Sequence, residues 1–415
     1  MKRKLLTQML REWKANVWLI LELVIVVLIL QYLLGTLYAL YRQHSYAGGQ
    51  KLEDVYFADF GILQKDSEGY VEWDSIHTWQ SDLDLLMTQL RGNQYVEVAA
   101  VGGFNSLPYN YNFMGNRYYY KTPEGKKSHE FTVNVREMSP EMMEVLQMHG
   151  LKGETPKQLA DMLRKGEVVL GETEEPENPD EPTALDAVGR EAYNVSDSLS
   201  SRRVGAAAPG MRRNDYEGLW HKTLYAPIDM ERASMIAVRV KPGTGNRFLE
   251  SLTDKDRQAG NVYLSTMESV SDMRDRAHLD INQAIRNFVI CSLFIMLVIF
   301  LGFLGTFWFR TQQRVSEIAI RKVNGATNGD IYARFFSEGL IMLAMAAVIS
   351  VPLAFWLFRE ESLRATLSLI ELDNTMLAGG AIATILILGI TIVCSIYAPA
   401  RRATRIDPAA ALKDM

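Results

Sequence analysis

Residues 288–309 read FVICSLFIMLVIFLGFLGTFWF, twenty-two residues without a charge. A helix needs roughly 20 residues to cross the ~30 Å hydrocarbon core of a bilayer. This stretch therefore decides the fold: the chain is built into a membrane. Three further blocks repeat the signal, at 17–40 (VWLILELVIVVLILQYLLGTLYAL), 335–358 and 376–399. The layout is one span, a long polar segment, then three spans. The first block is too long for the apolar core of a signal peptide and no small-residue cleavage site follows it, so it reads as a retained anchor. The net charge of −5 argues against a nucleic-acid partner. The two cysteines, Cys291 and Cys394, both lie inside apolar blocks, which leaves no disulfide framework and no thiolate zinc site.

Lys and Arg in the short flanks set the orientation. Lys2, Arg3, Lys4, Arg11 and Lys14 precede the first span, and Arg310, Arg314, Arg321, Lys322 and Arg334 lie between the second and third. Arg401, Arg402, Arg405 and Lys413 follow the fourth. The loop between the third and fourth spans holds Arg359 and Arg364 against Glu360, Glu361, Glu371 and Asp373. Both termini and the 310–334 loop are thus expected in the cytoplasm, with 41–287 outside. That outer segment carries 28 basic and 38 acidic residues, a net −10. Two carboxylates interrupt the spans, Glu22 and Glu338. A charge at the bilayer centre costs about 2.5–3.5 kcal/mol on insertion scales. Each is read either as reaching the interface or as a packing or gating contact between helices. Gly302, Gly305, Gly379 and Gly380 would allow helices to approach closely, and Pro352 marks a kink.

The expected organisation is an amphipathic cytoplasmic helix at 1–16, the first span at 17–40, an extracytoplasmic α+β domain at 41–266 and a stalk helix at 267–287. The second span (288–309), a cytoplasmic helix and loop (310–334), the third span (335–358), an outer loop (359–375), the fourth span (376–399) and a cytoplasmic tail (400–415) follow. Strands are expected at Tyr95–Val101, Glu130–Val135, Val168–Leu170 and Met235–Val240, where β-branched residues cluster. Ser139-Pro140 opens a helical run that closes on Gly150, and Phe248–Arg257 completes a β–turn–α unit. The segments 172–186 (ETEEPENPDEPTALD) and 196–213 read as loops. The aromatic run 109–120 (YNYNFMGNRYYY) reads mainly as core packing and otherwise as a surface for an amphipathic ligand. The stalk rests on the steps Val270, Met273, Ala277, Ile281, Ala284, Phe288, an apolar stripe on an otherwise polar helix.

No catalytic motif is present: no phosphate-binding G-x-x-x-x-G-K-[ST], no H-E-x-x-H, no G-x-S-x-G, and six scattered histidines best read as structural. The informative segment is 311–341, TQQRVSEIAIRKVNGATNGDIYARFFSEGLI. Val315, Ile318, Ala319 and Val323 share one helical face; Arg314, Glu317 and Arg321 share another, with Glu317 and Arg321 one turn apart. Gly325 ends the helix. Such a helix either lies on the membrane surface or docks into a groove of a partner.

SEIAIRKVNGATNGDI, with Glu317, Arg321, Lys322, Gly325, Ala326, Asp330, Ile331 and Glu338 in matching places, resembles the MacB/FtsX-like permeases of mechanotransmitting ABC transporters. The ending PARRATRIDPAAALK matches the same family at Pro399, Arg401, Arg402, Asp407, Pro408, Ala411 and Leu412. VREMSPEMMEVLQMHGLKGE looks like part of a MacB-type periplasmic core domain. The resemblance implies a non-enzymatic, multi-pass permease of the bacterial inner membrane. It implies a separate cytoplasmic ABC ATPase subunit that binds the ATP and magnesium, with no cofactor in this chain. It also implies pairing with a second permease, as a homodimer or heterodimer. Arg314, Glu317, Ile318, Arg321, Lys322 and Gly325 would couple to the ATPase, the apolar face seated in its groove. Export of peptides, drugs or lipoproteins is the function implied, with an adaptor, outer-membrane component or periplasmic substrate protein as further partners. The alternatives are an FtsX-like activator of a cell-wall hydrolase and, more remotely, a membrane receptor, for which the cytoplasmic stretches are too short to hold an output module.

Overall fold

The computed structural model describes residues 13–44, 49–74, 78–109, 114–121, 126–173, 181–197, 200–216, 219, 221–358 and 374–406, with side chains from Val17 onward. Residues 1–12 of the helix expected at 1–16, residues 359–373 of the outer loop expected at 359–375, the ending 407–415, residues 110–113 of the aromatic run and 174–180 of the acidic loop lie outside the described residues.

The helices are α1 (Trp13–His44), α2 (Trp79–Gly92), α3 (Met142–Val145), α4 (Pro156–Arg164), α5 (Ala184–Ala187), α6 (Gly245–Ser251), α7 (Val270–Ala277), α8 (Leu279–Gln313), α9 (Val315–Val323), α10 (Asn328–Leu357) and α11 (Asn374–Thr404). The strands are β1 (Val55–Ile62), β2 (Val96–Gly102), β3 (Gly115–Tyr120), β4 (Phe131–Met138), β5 (Val168–Glu172), β6 (Glu191–Asn194), β7 (Ser201–Pro209), β8 (Lys222–Pro227), β9 (Met235–Val240), β10 (Gln258–Ala259), β11 (Val262–Leu264) and β12 (Glu268–Ser269). Contacts divide the chain into two units, Met1–Arg42 with Ile281–Met415, and Gln43–Asp280.

The first unit is a helical bundle. Among the described residues four helices are long and apolar enough to cross a membrane: Val17–His44, Leu279–Gln313, Asn328–Leu357 and Asn374–Thr404. One face of each meets the others. Leu23, Val27 and Leu30 of α1 pack with Phe303 and Phe307 of α8, Met342 and Ala346 of α10, and Leu388, Ile392 and Ile396 of α11. The steps of three and four keep each set on one side of its helix. The expected close approach occurs between α1 and α11. A methyl group built on Gly380 would fall 2.6 Å from the Gly35 Cα, so only glycine lets these two backbones touch. Helix α10 runs on through Pro352.

The second unit is the expected α+β domain. Strands β10, β11, β1, β9, β2, β4, β3, β6, β7, β5 and β8 pair in that order, and β12 pairs with β1. A further parallel pairing of β4 with β8 closes the last six strands into a ring. Tyr120, Phe131, Val133, Val168, Leu170, Val204 and Leu224 pack together among those strands. The remainder is a sheet covered on both faces. Val101, Ile236 and Val238 meet Leu83, Leu86 and Leu90 of α2, whereas Ala100 and Ala237 meet Met142 and Val145 of α3. Period-two alternation distributes these neighbours to opposite faces.

Three expectations change. The helix opened by Ser139-Pro140 is four residues, Met142–Val145, and the chain turns at Gln147 with φ +47°. Met142, Met143, Val145, Leu146 and Met148 are all fully buried, so the run is apolar on every side rather than one face of a longer helix. The segment 196–213 holds the nine-residue strand β7, whose Ala206, Ala207 and Ala208 are buried against its neighbours. The polar stretch 267–287 holds the short strand β12 and then two helices, α7 and α8, which meet at His278. Within the aromatic run, Tyr109, Tyr118 and Tyr120 are buried, the core-packing reading.

Candidate functional site: the tip of the three-span bundle

Helix α8 ends at Gln313, Arg314 leaves helical geometry at φ −106°, ψ 18°, and α9 begins. The chain then turns back into α10 through a tight cap. The Ala326 N–H donates to the Arg321 carbonyl at 3.0 Å and the Gly325 N–H to the Lys322 carbonyl at 3.0 Å. This is the Schellman arrangement, and it puts Gly325 at φ +87°, where a side chain is strained. Thr327 caps α10 through a reciprocal box with Asp330. A short helix is thus held between two rigid ends.

Two carboxylates organise the charges. Glu338, one of the two span carboxylates, is buried and accepts from Arg310 Nη1 at 2.6 Å and from Arg314 Nη1 at 3.0 Å. Glu317 accepts from Arg321 Nη2 at 2.8 Å and from Arg334 Nη2 at 2.9 Å. Burial raises the Glu317 carboxyl, but the Arg321 hydrogen bond and the charges of Arg334, Arg321 and Arg314 outweigh it, leaving it below the usual glutamate range. Charge-assisted pairs of this kind fix geometry more than they add stability. They lock α8, α9 and α10 to one another.

Lys322 extends the lock to α11. Its ammonium donates to the Thr404 carbonyl at 2.6 Å and the Ile406 carbonyl at 3.0 Å, where a helix end offers free acceptors and negative potential. Arg402 lies over the Trp308 ring at 4.5 Å, joining the PARRATRI ending to α8. Pro399, Ala400 and Ala403 of the same ending are buried.

The predicted site residues therefore converge, with one reversal. Ile318 and Ala319 are buried against the chain's own spans, Ile318 in the cluster that contains Ile331 and Phe335. Two of the four residues of the face expected to be kept for a partner are thus filled from within the chain, while Val323 of the same face stays open. Ile320 and Val323 are exposed, 47% and 64%, beside the exposed Asn324 and Gly325. Arg314, Glu317, Arg321, Arg334 and Glu338 line a cleft with Ile318, Ala326 and Phe335. Glu22 stands apart: it is half-buried near Gly302, and among the described residues no ion pair reaches it. Arg310, Arg334, Trp308 and Arg402 were not singled out as site residues by the sequence. Among the described residues no group of three His, Cys, Asp or Glu side chains could hold a metal ion.

One span, a large α+β domain and three further spans with a braced amphipathic helix make this a multi-span membrane protein. Residues 289–408 match the FtsX-like permease C-terminal family. The macrolide export ATP-binding/permease protein MacB of Hyphomonas neptunium (strain ATCC 15444) is 28% identical over 113 residues, 27% of this chain and 16% of that protein. MacB of Rhodopseudomonas palustris (strain HaA2) is 30% identical over 112 residues, again 27% of this chain and 16% of the relative. The fold and the matched segment fit a MacB/FtsX-like permease. The aligned stretch spans about a sixth of either relative's length.

Proposed function

We propose that this chain is the permease subunit of an ABC-type complex in the bacterial inner membrane. It transmits ATP-driven motion of a separate ATPase subunit to its periplasmic α+β domain. The observation that carries the reading is the tip of the bundle. Helix α9 presents Ile320, Val323 and the Gly325 cap outward, while Glu317, Glu338 and Lys322 tie it to all three C-terminal spans. A helix braced in this way cannot yield locally when pushed, so displacement passes into α8, α10 and α11 together. The Lys/Arg asymmetry supports a cytoplasmic tip and a periplasmic domain. Pairing with a second permease follows from the resemblance, as does a role in export of peptides, drugs or lipoproteins.

The test is co-expression with the candidate ATPase, purification into nanodiscs, and measurement of co-purification and ATP hydrolysis. Val323→Asp places an unpaired charge in the contact. It should abolish co-purification while the permease itself remains folded. Wild-type binding by Val323→Asp and Ile320→Asp alike would leave α9 as a helix of the membrane surface.

A further inference from the structure

Five residues after β7 gather both ends of the α+β domain. Arg212 Nη1 donates to the Gln43 carbonyl at 2.7 Å, in the last turn of α1, and to the Asp215 carbonyl at 3.3 Å. His44 stacks on Tyr216, centroids 5.1 Å apart. The Asp215 carboxylate accepts from Arg274 Nε of α7 at 2.6 Å and from the Tyr109 hydroxyl at 2.8 Å. The Asp215 N–H donates to His278 Nε2 at 3.2 Å, which requires the neutral ring with its proton on Nδ1. His278 is the residue between α7 and α8, and the rings of Tyr109 and Tyr216 stand edge-on to it. Residues 43–44 lead out of the first span, and 274–278 lead into the second.

We propose that residues 212–216 form a clasp that holds the entry and exit of the α+β domain as one body, with Arg212, Asp215 and neutral His278 as its positioning residues. The role rests on the force transmission proposed above: motion of either span then reaches the domain as a whole rather than unravelling one end. It also makes the clasp acid-sensitive. Protonating His278 removes the acceptor of the Asp215 N–H. Burial opposes that charge, as do Arg274 and His44, while Asp215 and Asp275 favour it; burial prevails and holds the ring below the usual histidine range. Neutral His278 therefore contributes fully above pH 6.5, and its contribution falls away as the pH drops through the lowered value.

The experiment is hydrogen exchange of the full-length chain in nanodiscs, corrected for intrinsic rates, with no ATPase present. Failure of the clasp is thus separable from failure of the ATPase reading. Asp215→Ala should speed exchange at least tenfold in peptides covering 40–44 and 270–278 together, with β9 unchanged. Acceleration confined to 212–216 would overturn the proposal. Wild type should lose the same protection between pH 7.5 and 5.0. His278→Gln, whose amide oxygen still accepts but does not titrate, should keep it. That comparison decides the matter should Asp215→Ala fail to fold. An unchanged acid response in His278→Gln would contradict the clasp, because a merely structural residue would not carry the pH profile.

Discussion

The tip of the bundle and the clasp in the α+β domain solve the same problem with different burial. At the tip, Glu338 holds Arg310 and Arg314 with only 5% of its side chain exposed, and the two arginines are 13% and 21% exposed. In the clasp, Asp215 is 16% exposed and its partner Arg274 43%. A cation that reaches water survives the loss of its carboxylate; a cation enclosed by apolar helices does not. The tip should therefore be the less forgiving of the two, and the clasp the more adjustable.

The largest expected effect is that of Glu338→Ala. It leaves two enclosed guanidinium groups without their counter-charge, a class of change that costs about 3–5 kcal/mol. Thermal unfolding in detergent should show a large drop in midpoint, with Asp215→Ala clearly milder; equal losses would break the comparison. Next comes Gly380→Val, whose side chain collides with the Gly35 backbone. Overpacking of this kind costs about 1–3 kcal/mol, and it should separate the first and fourth spans, read as faster cross-linking loss between cysteines placed on α1 and α11. Gly325→Ala should cost about 1–2 kcal/mol, because the strain is conformational and open space surrounds the position. Arg321→Ala is the smallest, about 0–1 kcal/mol, since its pair with Glu317 is half-exposed.

Acid sharpens the same contrast. The Glu317 carboxyl lies below its ordinary 4.5, so its pairs persist above that pH and are lost only as the pH falls through the lowered value. The clasp begins to lose His278 below 6.5. Stepping from pH 7 to 5 should loosen the α+β domain and leave α9 protected, as hydrogen exchange resolved by segment would show.

Legibility in the sequence followed how local each signal is. Strand β9 coincides with the expected Met235–Val240, an apolar β-branched run that packs on both faces of a sheet. The spans were readable from their length and scarcity of charge. Strand β7 was not, because Gly205 and Ala206–Ala208 have no β-branched side chain, and the three alanines take their place only through burial beside β5. The Gly325 cap is a local signal, and the structure gives it the expected left-handed geometry. The partners of Glu338 lie 24 and 28 positions away, at the junction before α9 and on α8, beyond the reach of helical periodicity. Arg334 sits one turn before Glu338 but pairs with Glu317, a choice set by how α9 folds back on α10. The apolar stripe of α9 was visible, but which of its residues the chain fills for itself depends on Ile331 and Phe335.

The most direct test of the account is site-specific photo-cross-linking of the intact complex in cells, with a probe at Val323 and, separately, at Ile318. The account predicts that the probe at Val323 captures a nucleotide-binding ATPase subunit, while the probe at Ile318 yields only cross-links within this chain. Capture of the ATPase from Ile318 and not from Val323 would contradict it.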